Sequence, residues 1–431
     1  MPAPLRLGLA GLGTVGIGVV QIVQRHAEMI AARAGRPVVI TAVSARDKTK
    51  NRDADLSGYA WETDPVDLAR RDDVDVFVEV MGGHEGPAKA ATEAAIAAGK
   101  DVVTANKALL AHHGHALALA AEAAGRVIRF EAAVAGGIPV IKALTEGLAA
   151  NRMKRVMGVM NGTCNYILTR MQSAGLPYET VFEEARQLGY LEADPNLDVG
   201  GIDAGHKLSL LSAIAFGTQV SFDKVELEGI GSVSIDDINH AQEMGYRIKL
   251  LGVAQESGRG LEQRMTPCLV PADSPLGQLQ GGTNMVVLEG DAVGQIVLRG
   301  AGAGSGPTAS AVMADVLDIA RGIRLPVFGQ PATTLRAPVA AKSATPAPYY
   351  LRMTLLDKPG ALAKIATCLG EAGISIDQMR QINQPGEADD NAVVIFVTHK
   401  AAPADVAHAL TQFAVTGVLV GQAVAIRIEA V

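Results

Sequence analysis

The N-terminal segment Leu5–Gly16 constrains the fold of this 431-residue chain more than any other part of the sequence. Leucines alternate with other residues over 5–9, the pattern of a buried strand, and glycines follow at positions 11, 13 and 16. An apolar stretch of helical character comes next, so the segment predicts the strand, glycine turn and helix of a dinucleotide-binding unit. Gly11 would permit the tight turn, Gly13 the approach of a pyrophosphate, and Gly16 the close packing of helix on strand.

Composition excludes several classes of protein. Aromatic residues make up only 4% of the chain, so its cores must be built from aliphatic residues, which suits buried parallel strands. The formal net charge of -7 and the lack of a dense basic run argue against a nucleic-acid binder. No apolar run reaches ~18 residues, which argues against a membrane span. The three cysteines, Cys164, Cys268 and Cys368, suit neither a disulfide scaffold nor a four-cysteine zinc site. We therefore expect a cytoplasmic protein of two or three domains.

Strand and helix signals alternate through the first third of the chain. The predicted strands after the first are 38–43, 74–80, 101–104 and 126–130, and the predicted helices are 86–98 and 112–124. Strands joined by helices of this length form a parallel sheet with right-handed crossovers. A ligand of such a sheet lies beyond the carboxyl ends of the strands. Those ends carry segments 11–16, 44–47, 81–83 and 104–107, which we expect to surround one crevice.

The tip of the second strand bears on the choice of cofactor. An acidic residue there binds the ribose 2′-hydroxyl of NAD, whereas an arginine favours the 2′-phosphate of NADP. This chain offers both Arg46 and Asp47, with Arg46 closer to the strand and Lys48 and Lys50 beyond. The segment predicts NADP and leaves NAD open; a solvated loop of mixed charge is the plain alternative.

The pattern of the remaining chain indicates two further units. Residues 136–307 are expected to form a substrate-binding and dimerisation domain, ending in a glycine-rich turn at 301–308 that either covers the cofactor or merely connects domains. Residues 308–335 would complete the first domain, 1–135. Residues 336–348 have linker composition, and 349–431 show the strand and helix order of a ferredoxin-like unit. The predicted fold class is α/β: a Rossmann-like parallel sheet domain, an α+β domain and a C-terminal ferredoxin-like domain.

Carboxylates and a lysine gather at the start of a strongly apolar helix. Glu192, Asp194 and Asp198 precede Asp203 and Lys207, which are four residues apart and therefore share one helix face. That face continues into apolar residues of core type, so the pair is expected at the buried end of a cleft, where a lysine beside a carboxylate is a tunable acid. An exposed ion pair is the alternative. Reduction of an aldehyde by hydride leaves an alkoxide that an ammonium can protonate.

A cysteine and three histidines could also take part in chemistry, as a nucleophile and as metal ligands. Cys164 follows a predicted strand and turn at 155–163, but no histidine lies nearby in the sequence to activate it, which favours a structural thiol over a nucleophile. His112, His113 and His115 lie in an alanine-rich helix without a cysteine or carboxylate cluster, which favours an exposed helix over a metal site.

Five motifs make the sequence similar to the long bacterial homoserine dehydrogenases that carry a C-terminal ACT domain. The motifs are Gly11–Gly16, Thr104–Lys107, Asn161–Thr163, Gly189–Pro195 and Gly201–Lys207, and the similarity covers essentially the whole chain. The resemblance implies NAD(P)-dependent interconversion of L-aspartate 4-semialdehyde and L-homoserine, on the route to threonine and methionine. Cys164 departs from the threonine or serine more usual in the family.

The resemblance also implies roles for individual residues. Lys207 would donate the proton, with Lys107 and Asp203 as its catalytic partners. The implied substrate-binding residues are Gly162, Thr163, Tyr190, Glu192, Asp198 and Asp203. The implied cofactor-binding residues are Gly11, Gly13, Thr14, Val15, Gly16, Arg46, Met81, Gly82, Thr104, Lys107 and Gly306. The family also binds a structural sodium ion through backbone oxygens, here those of Glu131, Val134, Gly136 and Ile138.

The C-terminal unit resembles ACT modules, which bind amino acids between paired copies. Threonine as feedback inhibitor, and a homodimer or homotetramer, follow by analogy. Two other functions stay open at this point: an amino-acid sensor whose dehydrogenase domain is inactive, and a different semialdehyde dehydrogenase acting through Cys164.

Overall fold

The structure, a computed structural model, describes residues 2–192, 194–382 and 391–431. Two sheets organise these residues: a six-stranded parallel sheet near the N-terminus, and a ten-stranded mixed sheet shared by the middle and C-terminal parts. The predicted fold class is confirmed.

The N-terminal sheet has the strand order β3-β2-β1-β4-β5-β6, and every pair in it is parallel. The elements are β1 (Leu5–Ala10), α1 (Thr14–Arg25), α2 (Ala27–Ala34), β2 (Val38–Ser44), β3 (Ala60–Glu62), α3 (Pro65–Arg70), β4 (Val76–Glu79), α4 (Pro87–Ala97), β5 (Asp101–Thr104), α5 (Lys107–Ala123) and β6 (Ile128–Arg129). The order reverses between β1 and β4, so a crevice opens at the carboxyl ends of these two strands.

Helix α5 begins five residues earlier than the sequence pattern predicts. The side chain of Asn106 accepts a hydrogen bond from the Leu109 N–H at 3.0 Å and caps the helix. Lys107 is therefore the first residue of a helix and not the end of a strand. The short elements α2, β3 and α3 were not predicted, since none is long enough to show a clear period.

The middle part places helices against a sheet of antiparallel strands. The elements are α6 (Val140–Lys142), β7 (Met153–Val159), α7 (Gly162–Ala174), α8 (Tyr178–Gln187), α9 (Pro195–Val199), α10 (Ile202–Phe216), β8 (Glu226–Leu227), α11 (Ile235–Glu243), β9 (Tyr246–Ser257), β10 (Gly260–Pro271), β11 (Thr283–Gly290), β12 (Gly294–Ala301) and α12 (Ser305–Ala320). The sequence analysis did not predict the long strands β9 and β10. Helix α12 returns to the first sheet, where its Ser305 hydroxyl donates to the Thr14 carbonyl at 2.8 Å.

The C-terminal part has the ferredoxin-like order that the sequence predicts. Its elements are β13 (Tyr349–Leu356), α13 (Ala361–Glu371), β14 (Ile376–Ile382), β15 (Asn391–Thr398), α14 (Pro403–Val415) and β16 (Leu419–Ile428). The strands lie in the order β16-β13-β15-β14, with both helices packed over a core that includes Phe396 and Phe413.

The two parts of the large sheet join edge to edge. Strand β16 pairs in parallel with β10, at Cys268 opposite Arg427 and Leu269 opposite Ile428. The segment predicted as a linker is tied down beside this junction, because the N–H of Thr345 donates to the Glu262 carboxylate at 2.9 Å. Among the described helices, none has the length and apolarity needed to cross a membrane.

Candidate active site

A cleft of about 720 Å³ lies between the carboxyl edge of the first sheet and helices α7 and α10. The predicted residues that line it are Thr14, Val15, Met81, Gly82, Lys107, Gly136, Gly162, Thr163, Tyr190, Glu192, Asp198, Asp203 and Lys207. Segments far apart in the sequence thus meet in one place. The pocket also includes residues 301–304 of the glycine-rich turn.

Two lysines share one buried carboxylate at the base of this cleft. Lys207 Nζ lies 2.7 Å from Asp203 Oδ2 and donates to the Met160 carbonyl at 2.8 Å. Lys107 Nζ lies 2.9 Å from Asp203 Oδ1. The side chain of Lys207 is 11% exposed and that of Asp203 is 7% exposed, so the pair is not on the outer surface. The buried-pair prediction for Asp203 and Lys207 agrees with this geometry.

The electrostatics of the cluster keep it charged. Burial opposes ionisation of Asp203, but the ammonium groups of Lys207 and Lys107 outweigh it and hold the pKa of Asp203 well below its usual range. Burial lowers the pKa of Lys107, and the Asp203 carboxylate more than compensates, so that the Lys107 pKa is raised. The raised pKa of Lys107 therefore keeps its ammonium protonated beside Asp203.

Asp198 holds the neighbouring loop in place. Its Oδ1 accepts from the Asn161 side chain at 2.9 Å and its Oδ2 accepts from the Glu192 N–H at 2.9 Å. Glu192 itself remains 47% exposed, with its carboxylate 4.0 Å from Lys107 Nζ. Burial raises the pKa of Glu192, and Lys107 opposes this. Glu192 is thus the accessible carboxylate of the two, whereas both oxygens of Asp198 already have partners.

The start of α7 forms another wall of the cleft. Asn161 caps the helix by accepting from the Cys164 N–H at 2.8 Å, and Gly162 is its first residue. The Thr163 hydroxyl donates to the Tyr190 carbonyl at 2.9 Å, which ties this helix to the loop before α9. Tyr190 is 51% exposed at the mouth of the cleft.

The glycine turn has the shape that a pyrophosphate site requires. A Cβ on Gly11, whose φ is +103°, would lie 2.7 Å from the Val80 carbonyl oxygen, and a Cβ on Gly16 would lie 1.9 Å from the Gly11 oxygen. A Cβ on Gly13 would meet no atom within 4 Å. Gly11 and Gly16 are therefore needed for packing, whereas Gly13 leaves an open approach to the start of α1. No acidic residue lies in the first turn of α1, so its N–H groups are available to an anion.

A second helix start faces the same region. Helix α12 opens after Gly304, and Gly306 has no atom within 4 Å of where a Cβ would lie. Helices α1 and α12 pack closely, since a Cβ on Gly18 would lie 2.7 Å from the Ser305 hydroxyl oxygen. The residues present thus fit a dinucleotide along the cleft.

The loop after β2 is built around Asp47 and Arg52. The Asp47 carboxylate accepts from the Thr49 N–H at 2.8 Å and from the Thr49 hydroxyl at 2.7 Å, and these bonds lower its pKa. Arg52 donates to the Leu12 carbonyl at 3.1 Å and to the Asp47 carbonyl at 2.7 Å, which brings it to the glycine turn. Arg46 is exposed and does not line the described cleft. Sequence reasoning missed Arg52, because only the folded loop carries it back to this position.

The structure differs from the sequence prediction at two buried polar residues beside the cleft. Thr104, a predicted cofactor residue, is 0% exposed and gives its hydroxyl to Glu79 at 2.6 Å, so its side chain does not line the cleft. Asn284 is 1% exposed and lines the cleft, yet its Oδ1 accepts no hydrogen bond from any described residue. Nothing in the local sequence marks Asn284.

Cys164 and the histidines have structural surroundings. Cys164 is 0% exposed, its Sγ donates to the Asp198 carbonyl at 3.3 Å, and burial raises the pKa of its thiol well above the usual value. His113 binds the Glu85 carboxylate at 2.6 Å, and His112 stacks on His84. In the described part of the chain, no group of three or more histidine, cysteine, aspartate or glutamate side chains could hold a metal ion.

The segment predicted to hold sodium is a buried bend. The Glu131 carboxylate accepts from the Ile141 and Lys142 N–H groups, and burial, together with Asp315, raises the pKa of Glu131 to about 7. Ile138 has its carbonyl bonded to the Val140 N–H at 2.8 Å. The carbonyl oxygens of Val134 and Gly136, both buried residues, accept from no described group. Two free buried carbonyls fit a hard cation.

Comparisons with known proteins agree along the whole chain. Family models described as "Homoserine dehydrogenase", "Homoserine dehydrogenase, NAD binding domain" and "ACT domain" match residues 139–317, 11–131 and 349–415. A homoserine dehydrogenase of Pseudomonas aeruginosa is 42% identical over 99% of each chain, and one of Neisseria gonorrhoeae is 45% identical over 92% of each. A crystal structure of a homoserine dehydrogenase from Thiobacillus denitrificans has a TM-score of 0.93 at 41% identity, covering 99% of both chains. A hyperthermophilic archaeal homoserine dehydrogenase in complex with NADPH has a TM-score of 0.62 at 26% identity, covering 73% of this chain and 97% of its own.

Proposed function

The chain belongs to the homoserine dehydrogenase family, and from that membership we propose how its cleft works: Lys207 is the acid in the reduction of L-aspartate 4-semialdehyde to L-homoserine. The enzyme is an NAD(P)-dependent oxidoreductase acting on a CH–OH group, and it uses a nicotinamide cofactor. The observation that carries the proposal is the Asp203 carboxylate shared by Lys207 and Lys107 inside the cleft.

The two lysines have different roles at the aldehyde oxygen of the substrate. The bound cofactor supplies the hydride; the protein must stabilise and protonate the alkoxide that results. Lys207, held by Asp203 and by the Met160 carbonyl, has one N–H left for that oxygen, and it delivers the proton there. Lys107 adds positive charge from the cofactor side, which favours the developing alkoxide. In the reverse direction the neutral Lys207 amine takes the proton from the homoserine hydroxyl.

The amino-acid end of the substrate is recognised by groups of opposite charge. Glu192 offers an accessible carboxylate for the substrate ammonium, and Asp198 holds the backbone of Glu192 in place. The substrate carboxylate is bound by the start of α7, through the N–H groups of Gly162 and Thr163. Tyr190 closes the mouth of this pocket.

We propose NADP as the preferred cofactor, with the pyrophosphate at Gly11, Gly13 and Gly16. The Asp47 carboxylate is occupied by its own loop, so it is poorly placed to accept from a ribose 2′-hydroxyl. Arg46 stands exposed at the same loop and is available to a 2′-phosphate. The remaining cofactor contacts proposed are Thr14, Val15, Met81, Gly82, Thr104 through its backbone, Lys107 and Gly306.

Further proposals concern the assembly and its ligands. The free carbonyls of Val134 and Gly136, with those of Glu131 and Ile138, are proposed to hold a structural sodium ion. The ACT domain is consistent with regulation by a small molecule, for which we propose threonine. We propose a homodimer or homotetramer, a cytoplasmic location in keeping with three unbridged cysteines, and domain boundaries at 135, 307 and 348.

A steady-state comparison tests the proposal. The purified chain is assayed with aspartate 4-semialdehyde and either NADPH or NADH, with and without threonine, and then with homoserine and the oxidised cofactors. Turnover with a lower KM for NADPH is expected. No turnover in any combination would favour the amino-acid sensor. If Cys164→Ser abolishes turnover and Lys207→Met retains the wild-type rate, the result would favour a different semialdehyde dehydrogenase that acts through Cys164.

A further inference from the structure

A carboxylate that the proposed reaction does not use lies directly behind the cleft. Glu79 is the last residue of β4 and is 0% exposed. Its Oε1 accepts from the N–H groups of Met81 and Gly82 at 2.7 and 3.2 Å. Its Oε2 accepts from the Thr104 hydroxyl at 2.6 Å. Glu79 thus connects the loop after β4 with the last residue of β5.

The loop after β4 lines the cleft at Met81 and Gly82, the loop after β5 lines it at Ala105, and a small hydrogen-bond network joins the two loops. Thr104 Oγ1 accepts from the Asn106 N–H at 3.0 Å, and the Asn106 side chain donates to the Gly83 carbonyl at 2.6 Å. The same Asn106 caps the helix that begins with Lys107. Glu79 bonds to the loop after β4 and to the last residue of β5, so together with Asn106 it fixes where Lys107 starts relative to the loop after β4.

The charge of Glu79 has no counter-ion among the described residues. No described lysine, arginine or histidine nitrogen lies within 4.0 Å of it. Burial outweighs the hydrogen bonds to Glu79, so the pKa of Glu79 is raised. The groups that donate to Glu79 are N–H and O–H groups, which favour the ionised form, and mildly alkaline pH favours it further. A buried charge without a counter-ion lowers the stability of the folded protein, so packing alone does not explain a carboxylate at this position.

We propose that Glu79 is a positioning residue that also makes the cleft favour the oxidised cofactor over the reduced one. A nicotinamide ring carries a positive charge when oxidised and none when reduced. A carboxylate behind the loops that line the cleft attracts only the charged form. This inference depends on the proposed function, in which a nicotinamide cofactor binds in this cleft. As a general scale, two unit charges on the order of 10 Å apart at an effective dielectric constant of about 20 interact strongly enough to change an affinity by roughly tenfold.

Equilibrium binding tests this without turnover. Dissociation constants for NADP⁺ and NADPH are measured separately by titration calorimetry at mildly alkaline pH, for the wild type and three variants. Glu79→Gln removes the charge and keeps the shape. Thr104→Val removes one hydrogen bond to Glu79 and leaves its carboxyl group in place. Asp101→Asn is the matched control, a buried carboxylate at the opposite end of β5 that pairs with Arg324.

We expect Glu79→Gln to weaken NADP⁺ binding roughly tenfold more than NADPH binding. Thr104→Val should weaken both forms by similar factors, and Asp101→Asn should leave the ratio of the two constants at the wild-type value. The inference is wrong if Glu79→Gln changes the dissociation constants for NADP⁺ and NADPH by equal factors. It is also wrong if Thr104→Val shifts the ratio of these two constants as much as Glu79→Gln does. Should Glu79→Gln fail to fold, the double variant with Thr104→Val, which removes the competing hydroxyl, carries the same comparison. A wild type that binds neither form would contradict the proposed function itself.

Discussion

Replacing Lys207 by methionine separates proton donation from everything else this side chain does. Methionine has similar length and packs in the same space, but it has no proton to give. The loss removes the 2.7 Å contact to Asp203 and the 2.8 Å hydrogen bond to Met160. Asp203 keeps Lys107 at 2.9 Å, so its buried charge is not stranded. We therefore expect the stability cost to stay at about 1–3 kcal/mol, below the 3–5 kcal/mol typical of an orphaned buried ion.

Catalysis should suffer far more than stability. Removal of a proton-transfer group lowers kcat by about 10² or more, equivalent to about 2.7 kcal/mol of transition-state stabilisation. Lys207→Arg restores the charge, but a guanidinium is a much weaker acid, so it should not restore the rate. Oxidation of NADPH by aspartate 4-semialdehyde is the assay, with urea unfolding and NADPH binding as checks that the variants remain folded. Retention of more than about a tenth of wild-type kcat by Lys207→Met would refute the assignment of the acid.

Three further outcomes follow from the same contacts. Cys164→Ser should keep activity within about threefold, since the buried thiol only donates to a carbonyl; a loss of 10² in kcat would return Cys164 to the reaction. Asp203→Asn should move the alkaline limb of the kcat/KM profile to lower pH, because burial lowers the pKa of Lys107 once the carboxylate that raises it is gone; an unmoved limb would mean that Lys107 does not matter to the rate. Asp237→Asn should cost about 3–5 kcal/mol in urea unfolding, because Asp237 is 0% exposed and binds Arg352 at 2.5 Å; a cost below about 1 kcal/mol would contradict that.

Features fixed by short-range spacing could be predicted from the sequence. The close contacts at Gly11 and Gly16 agree with the tight turn and close packing that the sequence predicts, and the spacing of Asp203 and Lys207 places both on one helix face. The second partner of Asp203 is Lys107, which is 96 residues away by their numbers. The order of the strand ends predicts that Lys107 lies in the same crevice, but it does not predict the contact of Lys107 with Asp203.

Other features depend on contacts that no spacing reveals. Glu79 reads as one more residue of a strand until Thr104 is brought beside it by the pairing of β4 with β5. Arg52 lies in a polar loop and becomes part of the glycine turn only through its hydrogen bonds. The junction of β10 with β16 joins residues about 160 apart, and the composition of 336–348 suggested separation there instead.

The way β16 covers β10 matters for anyone who shortens the chain by removing the ACT domain. Cutting before residue 349 would strip Glu429 from Arg264, a guanidinium only 2% exposed, and would bare the backbone of Cys268 and Leu269. An uncovered strand with apolar neighbours recruits other chains, so the shortened protein would aggregate unless that border were redesigned with charged or proline residues. The ACT domain thus also covers an edge of the middle part that would otherwise lie open to other chains.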